Sequence, residues 1–341
     1  MLQQQVEGSY ISCVQFSPSV LSPETDVHSE KRWRLNRKNV IRKCASVSDP
    51  KPYTLVFEGE NFPEDGTGTQ GIKVSSFQEM LFYIGILGES AEVYLSQSFK
   101  SKNLSTYEKI KDLTYVKAKE YVRNYKDDKD FAVLMNKIPL DIKSLIDSSL
   151  AIKEDDFTPE GLKMHYVHKK KDTNVMISES FSKGDFLYFN MYDQTGEIKF
   201  DHDSDHVQGL LILEAMRQAS IATTHISGEL PDEGTIALLS YDSGFYNFLE
   251  LTAPIIIRTH TPFLFDPGDK DRDVVVSCQV FQWGKLAASG LLRGKAFPDK
   301  SRYINYRIRT EKLQGRAKKL YDAKMSTIQM TMGASSCLKS L

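Results

Sequence analysis

The feature that most constrains the fold is a long apolar helix set between β-rich segments. Residues 207–222, with the sequence VQGLLILEAMRQASIA, are rich in Leu, Ala and Met and predict a buried helix. A β-rich segment at residues 175–192 comes before it, and further β-rich segments follow at 235–240, 251–265, 274–281 and 286–296. This order predicts an α+β fold in which an antiparallel sheet wraps around one helix.

The first half of the chain repeats this order in a weaker form. An apolar helical segment at residues 77–94 follows β-rich segments at 10–16 and 53–58, and strand-like alternation follows it at 113–123 and 131–138. Aligning the two apolar helices without a gap places Ile84 and Leu87 where the later helix has Glu214 and Arg217. A repeated order of this kind predicts two copies of one fold, the first without the polar residues.

The length of the chain, 341 residues, agrees with two domains of about 100–200 residues each. A charged stretch that contains Pro159 and Gly161 predicts the boundary between them near residues 153–161. We therefore predict a degenerate first copy at residues 1–157, a second copy at 158–300, and a basic helix with a tail at 301–341.

The C-terminal segment has a strong local charge. Between Ser301 and Lys324, two acidic residues stand against eight basic ones, namely Arg302, Arg307, Arg309, Lys312, Arg316, Lys318, Lys319 and Lys324. This pattern fits either a solvated helix end or a surface that docks an acidic partner. Residues 326–341 are small and polar, which predicts a frayed end.

The overall composition argues against several classes of protein. The chain has 44 Lys and Arg against 45 Asp and Glu, a net charge of −1, so nothing attracts it globally to nucleic acid or to an anionic membrane. No stretch approaches the roughly 18 uncharged apolar residues of a spanning helix, and the N-terminus lacks the regions of a signal peptide. We therefore expect a cytoplasmic protein with no nucleic-acid partner and no membrane insertion.

Metal and cofactor sites are not indicated by any spacing. The four cysteines are far apart, which predicts neither a zinc site nor a disulfide framework. The acidic residues at 201–205 look like the start of a calcium loop, but His206 and Ile212 stand where Gly and Glu are needed. His202 and His206 could share a metal, yet no third ligand is spaced to join them. We expect no cofactor and no metal.

A polar patch interrupts the apolar helix. At 100° per residue, Gln218 lies about 40° from Glu214, and Arg217 lies about 60° away on the other side. The three side chains therefore share one face of the helix. A buried carboxylate is unfavourable unless it is hydrogen-bonded or lies near water in a cleft. Glu214 is thus either a candidate catalytic group or half of an ordinary ion pair on an exposed stripe.

The segment before the helix is rich in groups that transfer protons. Residues 200–206, FDHDSDH, contain His202 and His206 among three aspartates. Histidine can move protons near pH 7, and a neighbouring carboxylate such as Asp205 would orient it, although Asp205 also suits an N-cap. The helix start near Gly209 offers backbone N–H groups that could polarise a carbonyl oxygen.

Several of these motifs together resemble one family, the A-factor biosynthesis hotdog domain. They are Val167-His168-Lys169, the following strand pair, the Asp/His segment and the helix at 210–219 with its E-x-x-R-Q-A pattern. The resemblance covers roughly residues 163–298, and the family usually has two tandem copies. Dehydratases of fatty-acid synthesis are also similar, but Val207-Gln208-Gly209 replaces their proline-glycine approach to the helix, which argues against simple dehydration.

The resemblance implies a double hotdog fold, with antiparallel sheets that each wrap around a long central helix. It also implies transfer of a β-ketoacyl group from an acyl carrier protein or CoA to the hydroxyl of dihydroxyacetone phosphate, on the way to butyrolactone-type bacterial signals. Lys169 and its neighbours, with the basic tail, would then meet an acidic carrier or the phosphates of CoA. Monomer and homodimer both remain open.

The resemblance also suggests roles for individual residues. Glu214 would act as general base, Arg217 would orient Glu214 or the substrate phosphate, and His202 or His206 would steady the thioester or its protons. The expected substrate-binding residues are Gln218, Asp205, Gly209, His168 and Lys169. Two alternatives remain, a hotdog dehydratase or thioesterase and a non-catalytic module that binds an acyl ligand or a partner.

Overall fold

The structure is a computed structural model that describes residues 52–63, 70–125, 128–140, 161–192, 195–202, 204–251 and 253–337. The predicted β-rich segment at 10–16 and the predicted boundary at 157/158 lie outside these residues. Among the described residues, no helix is both long and apolar enough to cross a membrane.

The first half forms a small parallel sheet with helices. In chain order its elements are β1 (Tyr53–Phe57), β2 (Gln70–Val74), α1 (Phe77–Leu87), β3 (Ala91–Val93), α2 (Gln97–Lys102), α3 (Leu104–Lys111), α4 (Tyr115–Arg123) and α5 (Asp128–Asn136). β1 lies between β2 and β3, and it pairs in parallel with both. α1 connects β2 to β3, as parallel pairing requires a crossover.

The ends of α1 are set by local capping. Ser76 Oγ accepts a hydrogen bond from Glu79 N at 3.1 Å, and Glu79 Oε2 accepts one from Ser75 N at 2.7 Å. These bonds satisfy N–H groups that a helix start leaves open. At the other end, Gly88 has a φ of 56°, a conformation that glycine adopts without steric cost. The helix predicted at 77–94 therefore stops at Leu87.

The predicted strands at 113–123 and 131–138 are wrong, because both segments contain helices, α4 and α5. The buried residues of α4, Tyr115, Ala118 and Val122, recur at helical spacing. Thr114 caps α4, since its Oγ1 accepts a hydrogen bond from Lys117 N at 3.4 Å. With parallel strands and helices in this region, the prediction of a degenerate hotdog copy is wrong for the described residues between 52 and 140.

The second half forms the predicted antiparallel sheet. Its elements are β4 (Phe181–Lys183), β5 (Phe186–Met191), α6 (Gly209–Ile226), β6 (Thr235–Phe245), β7 (Ile255–His260), β8 (Arg272–Gln282) and β9 (Lys285–Phe297). The strand order is β4-β5-β7-β8-β9-β6, and every neighbouring pair is antiparallel. The strand that follows the helix, β6, therefore lies at one edge of the sheet.

α6 is the predicted central helix, and it packs against the inner face of the sheet. Ala215, Met216, Ala219 and Ala222 are completely buried on it. Three of these four residues are alanines, so the helix can approach the strands closely. The sheet and helix share one core, to which β5 contributes Leu187, Phe189 and Met191.

The outer face of the same sheet is covered by the first half of the chain. β5 alternates between the two cores, because Phe186 and Tyr188 belong to the core shared with the first half. Phe281 and Leu291 join the same outer core from β8 and β9. Strands β5, β8 and β9 are therefore covered on both faces, with α6 inside and the first half of the chain outside, whereas the edge strand β6 stays partly exposed.

The chain continues into a long helix, α7 (Lys300–Cys337). A helix was predicted here, but fraying was expected beyond Met325, and the helix instead runs to Cys337. Its side chains are exposed after Thr310 as far as they are described.

Candidate functional site

The three polar residues of α6 form one hydrogen-bonded group. Arg217 donates from Nε to Glu214 Oε2 and from Nη2 to Glu214 Oε1, both at 2.7 Å. Gln218 Nε2 donates to the same Oε1 at 3.0 Å. The arginine fork thus binds the carboxylate through two parallel bonds, which is the strongest geometry for such a pair.

Lys169 joins this group from outside the helix. Its Nζ lies 2.7 Å from Glu214 Oε1 and also pairs with Glu197. The side chain of Lys169 is only 6% exposed. Lys169 is therefore enclosed in the site, which corrects the expectation that it would meet an acidic carrier protein at the surface.

Gln218 and Asn174 link this hydrogen-bonded group to the segment that precedes β4. Gln218 is completely buried, accepts from Met176 N at 2.9 Å and donates to Asn174 O at 2.9 Å. Asn174 Nδ2 in turn donates to Glu197 Oε1 at 3.0 Å. The site cluster, as we call Lys169, Glu197, Glu214, Arg217 and Gln218, therefore contains two formal positive and two formal negative charges.

The electrostatics of the site cluster favour an ionised Glu214. Burial alone would raise the pKa of this carboxyl, but hydrogen bonds from Arg217, Lys169 and Gln218 outweigh it and lower the pKa to about 2. The pKa of Arg217 is raised, mainly by its bond to Glu214. A carboxylate held this firmly is a weak base as long as all its donors stay in place.

Arg217 also reaches a cavity between α6 and the strands. The cavity measures about 60 Å³, and apart from two arginines its lining is apolar or small, namely Ser220, Ile221, Thr224, Ile236, Leu238, Val274, Val276, Leu292 and Gly294. The arginines are Arg217 and Arg293. Arg293 Nη1 donates to Asp242 at 2.6 Å and to Ser240 at 3.1 Å. The cavity is therefore mostly apolar, and the side chains of Arg217 and Arg293 are part of its lining.

The histidines before the helix lie elsewhere. His206 Nδ1 is 2.7 Å from Asp205 Oδ1, and His202 Nδ1 is 3.0 Å from Asp201 Oδ1. Both rings are exposed, at 39% and 67% respectively. Their hydrogen bonds stay within the loop, so the structure does not bring His202, His206 or Asp205 into contact with Glu214.

A second concave surface lies at the start of α6. This groove of about 440 Å³ is lined by His206, Val207, Gly209, Ile212, Phe245, Tyr246, Asn247, Phe248 and Leu249. The His206 ring packs edge-on against Phe248, with centroids 4.8 Å apart. Gln208 leaves the helix start without a side-chain cap. Gly209 and His206 thus share a groove that is distinct from the site cluster.

His168 turns toward the far end of α6. Its Nε2 is 3.1 Å from Nε2 of His225, whose Nδ1 faces Leu230 O at 3.1 Å. Burial lowers the pKa of His225. His225 was not predicted as a site residue, although it lies three turns after Glu214 on nearly the same face. His168 therefore lies beside His225 at this end of the helix.

Other members of the site could not be found by motif. Glu197 lies in the connection between β5 and α6, and Arg293 lies on β9, about 80 residues after Glu214. Only the packing of the sheet around α6 brings them to the site. Within the described parts of the chain, no group of three or more His, Cys, Asp or Glu side chains is placed to hold a metal ion.

An antiparallel sheet wrapped around one helix, with its polar group on that helix, defines the second half as a hotdog domain. Residues 150–298 match the family model of the A-factor biosynthesis hotdog domain. The match confirms, for this segment, the resemblance that the sequence motifs indicate. No curated protein matches the chain.

Solved structures resemble part of the chain at low identity. A thioesterase superfamily protein is 10% identical, over 32% of this chain and 48% of its own, with a TM-score of 0.25. AziG from S. sahachiroi is 16% identical, over 33% and 84%, with a TM-score of 0.26. A thioesterase superfamily protein from Shewanella loihica is 14% identical, over 34% and 87%, with a TM-score of 0.26. The chain spans about half the length of the first of these.

Proposed function

We propose that the hotdog domain transfers an acyl group from a thioester to the hydroxyl of a small phosphorylated acceptor. The donor is a β-ketoacyl thioester carried by an acyl carrier protein or CoA, and dihydroxyacetone phosphate is the acceptor that the family resemblance implies. The match to the A-factor biosynthesis hotdog domain supports an acyl-thioester-related function for residues 150–298.

The apolar cavity with two arginines is the observation that carries this proposal. Apolar walls such as Ile221, Val276 and Leu292 suit the end of an acyl chain, which is what a cavity of about 60 Å³ can hold. Arg217 and Arg293 suit a phosphate, because the guanidinium fork matches its oxygens. Hydrolysis or dehydration of a thioester involves no phosphorylated acceptor, so neither reaction needs arginines to bind one. Two arginines in the lining of one apolar cavity therefore favour transfer to a phosphorylated acceptor.

The acceptor phosphate would also activate Glu214. In the described structure, Arg217 and Lys169 hold this carboxylate at a pKa of about 2. A phosphate that binds Arg217 competes for the same donors and adds negative charge nearby, so it raises the pKa of Glu214 toward the range of a general base. Base catalysis would then begin only when the acceptor is bound, which protects the thioester from attack by water.

The chemical step needs only the groups of the site and its two substrates. The acceptor hydroxyl oxygen attacks the thioester carbonyl carbon, while its proton moves to Glu214. The new C–O bond forms and the C–S bond breaks. The proton then passes from Glu214 to the departing thiolate, so that the products are an ester and a free thiol. Positioning of the two substrates supplies the remaining acceleration.

Mass spectrometry of the purified protein tests this proposal. A β-ketoacyl thioester and dihydroxyacetone phosphate together should give a phosphate-containing ester, and Glu214→Gln should abolish it. Arg217→Ala should lower kcat/KM for the acceptor about tenfold or more, as expected for a lost charged hydrogen bond. Arg123→Ala, a change of an exposed arginine in the first half, is the matched control and should have no effect.

Other products would contradict the transferase. Free acid points to a thioesterase, and an enoyl product points to a dehydratase. In either case, Arg217→Ala would have no selective effect on a phosphorylated acceptor, because no phosphate has to be bound. A protein that binds the thioester unchanged, with or without Glu214→Gln, would be a binding module.

A further inference from the structure

The helix α7 presents a large surface that the proposed reaction does not use. Its 38 residues extend about 57 Å at 1.5 Å per residue. Every residue from 311 to 329 is exposed, and Leu320 is 74% exposed. A long helix without tertiary packing is only marginally stable in water. A partner that covers this helix would therefore stabilise it.

The start of α7 is fixed to the hotdog domain. Asp299 Oδ1 accepts a hydrogen bond from Arg302 N at 2.9 Å, and Arg302 Nη1 donates to Asp269 O at 2.7 Å. The ring of Phe297 packs against Tyr303 and Tyr306, with centroids 5.6 Å and 5.2 Å apart. These contacts hold the first two turns, so the rest of the helix starts from a defined place.

That place is close to the cavity of the proposed site. Gly294 lines the cavity, and Phe297 follows it three residues later on the same strand, β9. At about 3.4 Å per residue, Phe297 lies about 10 Å from Gly294 along the strand. The first turn of α7 therefore begins near the cavity that Arg217 lines.

The exposed part of α7 has a basic row next to an apolar one. At 100° per residue, the side chains of Arg309, Lys312, Arg316 and Lys319 fall within a sector of about 80°. Leu313 and Leu320 lie beside this sector. Other exposed apolar residues, Tyr321, Met325 and Ile328, lie about 60–120° further round the helix from Leu313. The surface thus offers positive charge and apolar contact side by side.

The few acidic residues of α7 do not neutralise the basic row. Glu311 pairs with Arg307 at 3.7 Å. No ion pair of Lys312, Arg316 or Lys319 occurs within the described part of the chain. A second copy of α7 would bring the same excess of positive charge, so self-association is disfavoured.

We propose that α7 is the docking surface for an acidic acyl carrier protein. The inference rests on the proposed function for the identity of the partner. A carrier protein fits better than CoA, because the basic residues from Arg302 to Lys324 span about 33 Å, far more than the phosphates of one nucleotide. A bilayer fits less well, because Gln314 and Lys324 interrupt the apolar side.

Charge reversal on one face of the full-length protein tests this surface. The triple variant Arg309→Glu, Lys312→Glu, Arg316→Glu should weaken binding of an apo acyl carrier protein about tenfold or more by titration calorimetry, as expected for several exposed ion pairs. Binding should also weaken as salt rises. The control Lys102→Glu, Lys109→Glu, Lys199→Glu changes three exposed lysines elsewhere and should bind like the wild type.

Transfer assays with two donors separate this inference from the proposed function. The α7 variant should lose rate with a carrier-bound thioester and keep it with the CoA thioester. If no donor gives an ester, the proposed function fails while the binding measurement still decides the role of α7. Unchanged carrier binding in the variant would overturn the inference. So would binding to phosphatidylglycerol vesicles without binding to the carrier protein.

Discussion

Two arginines lie on opposite sides of the same sheet, Arg217 on α6 and Arg258 on β7, and their hydrogen bonds are satisfied in different ways. Arg217, on the inner side, binds a carboxylate through two bonds and keeps 32% of its side chain exposed. Arg258 of β7, on the outer side, is completely buried. No carboxylate pairs with Arg258 among the described residues. It donates to Gln279 Oε1 at 2.9 and 2.8 Å.

The other partners of Arg258 come from the first half of the chain. Its guanidinium donates to Ile138 O at 2.6 Å and to Pro139 O at 2.8 Å. The rings of Phe186 and Phe281 lie 5.0 and 4.9 Å from its central carbon. A desolvated cation between two aromatic rings is favourable when its donors are satisfied.

The two arginines therefore differ in role, because Arg258 joins the first half of the chain to the sheet and Arg217 belongs to the candidate site. Two of the four hydrogen bonds of Arg258 hold the first half of the chain against the sheet, and the side chain is completely buried. Arg217, by contrast, has bound its carboxylate and still lines a cavity. Arg258 thus serves the fold, whereas Arg217 lies at the cavity of the proposed site.

The largest expected effect is on stability at the outer arginine. Arg258→Ala should lower the free energy of unfolding by about 3–5 kcal/mol, because it leaves two carbonyl oxygens unpaired and a void between two rings. Urea denaturation followed by circular dichroism measures this loss. Arg293→Ala, at a partly exposed pair with Asp242, is the matched control and should cost about 1 kcal/mol or less. Equal losses in both variants would contradict the comparison.

A smaller effect should appear at low pH beside Arg258. His260 is buried, its Nδ1 faces Asp185 O at 3.3 Å, and its Nε2 has no hydrogen-bond partner in the described structure. Burial lowers its pKa to about 4; Lys119 and Arg258 add to this, and Asp185 opposes it. The folded protein therefore binds this proton less readily than the unfolded chain, whose histidine titrates near 6.5.

Stability should consequently fall as the pH drops from about 6.5 to 4, by about 3 kcal/mol for this one group. Unfolding of His260→Asn should lose that part of the pH dependence, since the amide does not titrate. His206→Asn, at an exposed histidine, should keep the wild-type slope. A wild-type slope in His260→Asn would show that the buried ring does not resist protonation.

The sequence predicts the inner face far better than the outer one. The helix around Glu214 and the strands of the second half have strong local periodicity, and residues three and four apart on a helix must be neighbours. Arg258 gives no such signal, because its partners at Ile138 and Pro139 are backbone oxygens about 120 residues away. Short apolar patterns in the first half also fitted strands and helices equally well.

Even on the inner face, the sequence brings together only residues of one helix, α6. Lys169 was expected to meet a partner at the surface, and the structure instead encloses it between Glu197 and Glu214. Its position depends on the connection from His168, which has a left-handed φ of 56°. Such a turn is uncommon outside glycine and leaves no spacing pattern in the sequence.

The smallest expected effect concerns Lys169, which shares the carboxylate of Glu214 with Arg217. Lys169→Met removes one of the hydrogen-bond donors that hold the pKa of Glu214 at about 2. It also removes the lysine that pairs with Glu197. The free energy of unfolding at pH 7 should fall by about 1–2 kcal/mol, because Arg217 still pairs with the carboxylate. Lys170→Met, at the next and exposed lysine, is the matched control and should change stability by less than about 0.5 kcal/mol.

The pH dependence of the same variant gives the sharper result. A carboxyl with a lowered folded pKa stabilises the fold above its unfolded value of about 4.3, and that stabilisation is lost as the pH falls toward 2. In Lys169→Met the folded pKa of Glu214 lies higher, so less stabilisation is available to lose. The gap between wild type and variant should therefore narrow between pH 7 and pH 3. A gap that stays constant would mean that Lys169 stabilises the fold by packing alone, and that Arg217 and Gln218 set the charge of Glu214 without it.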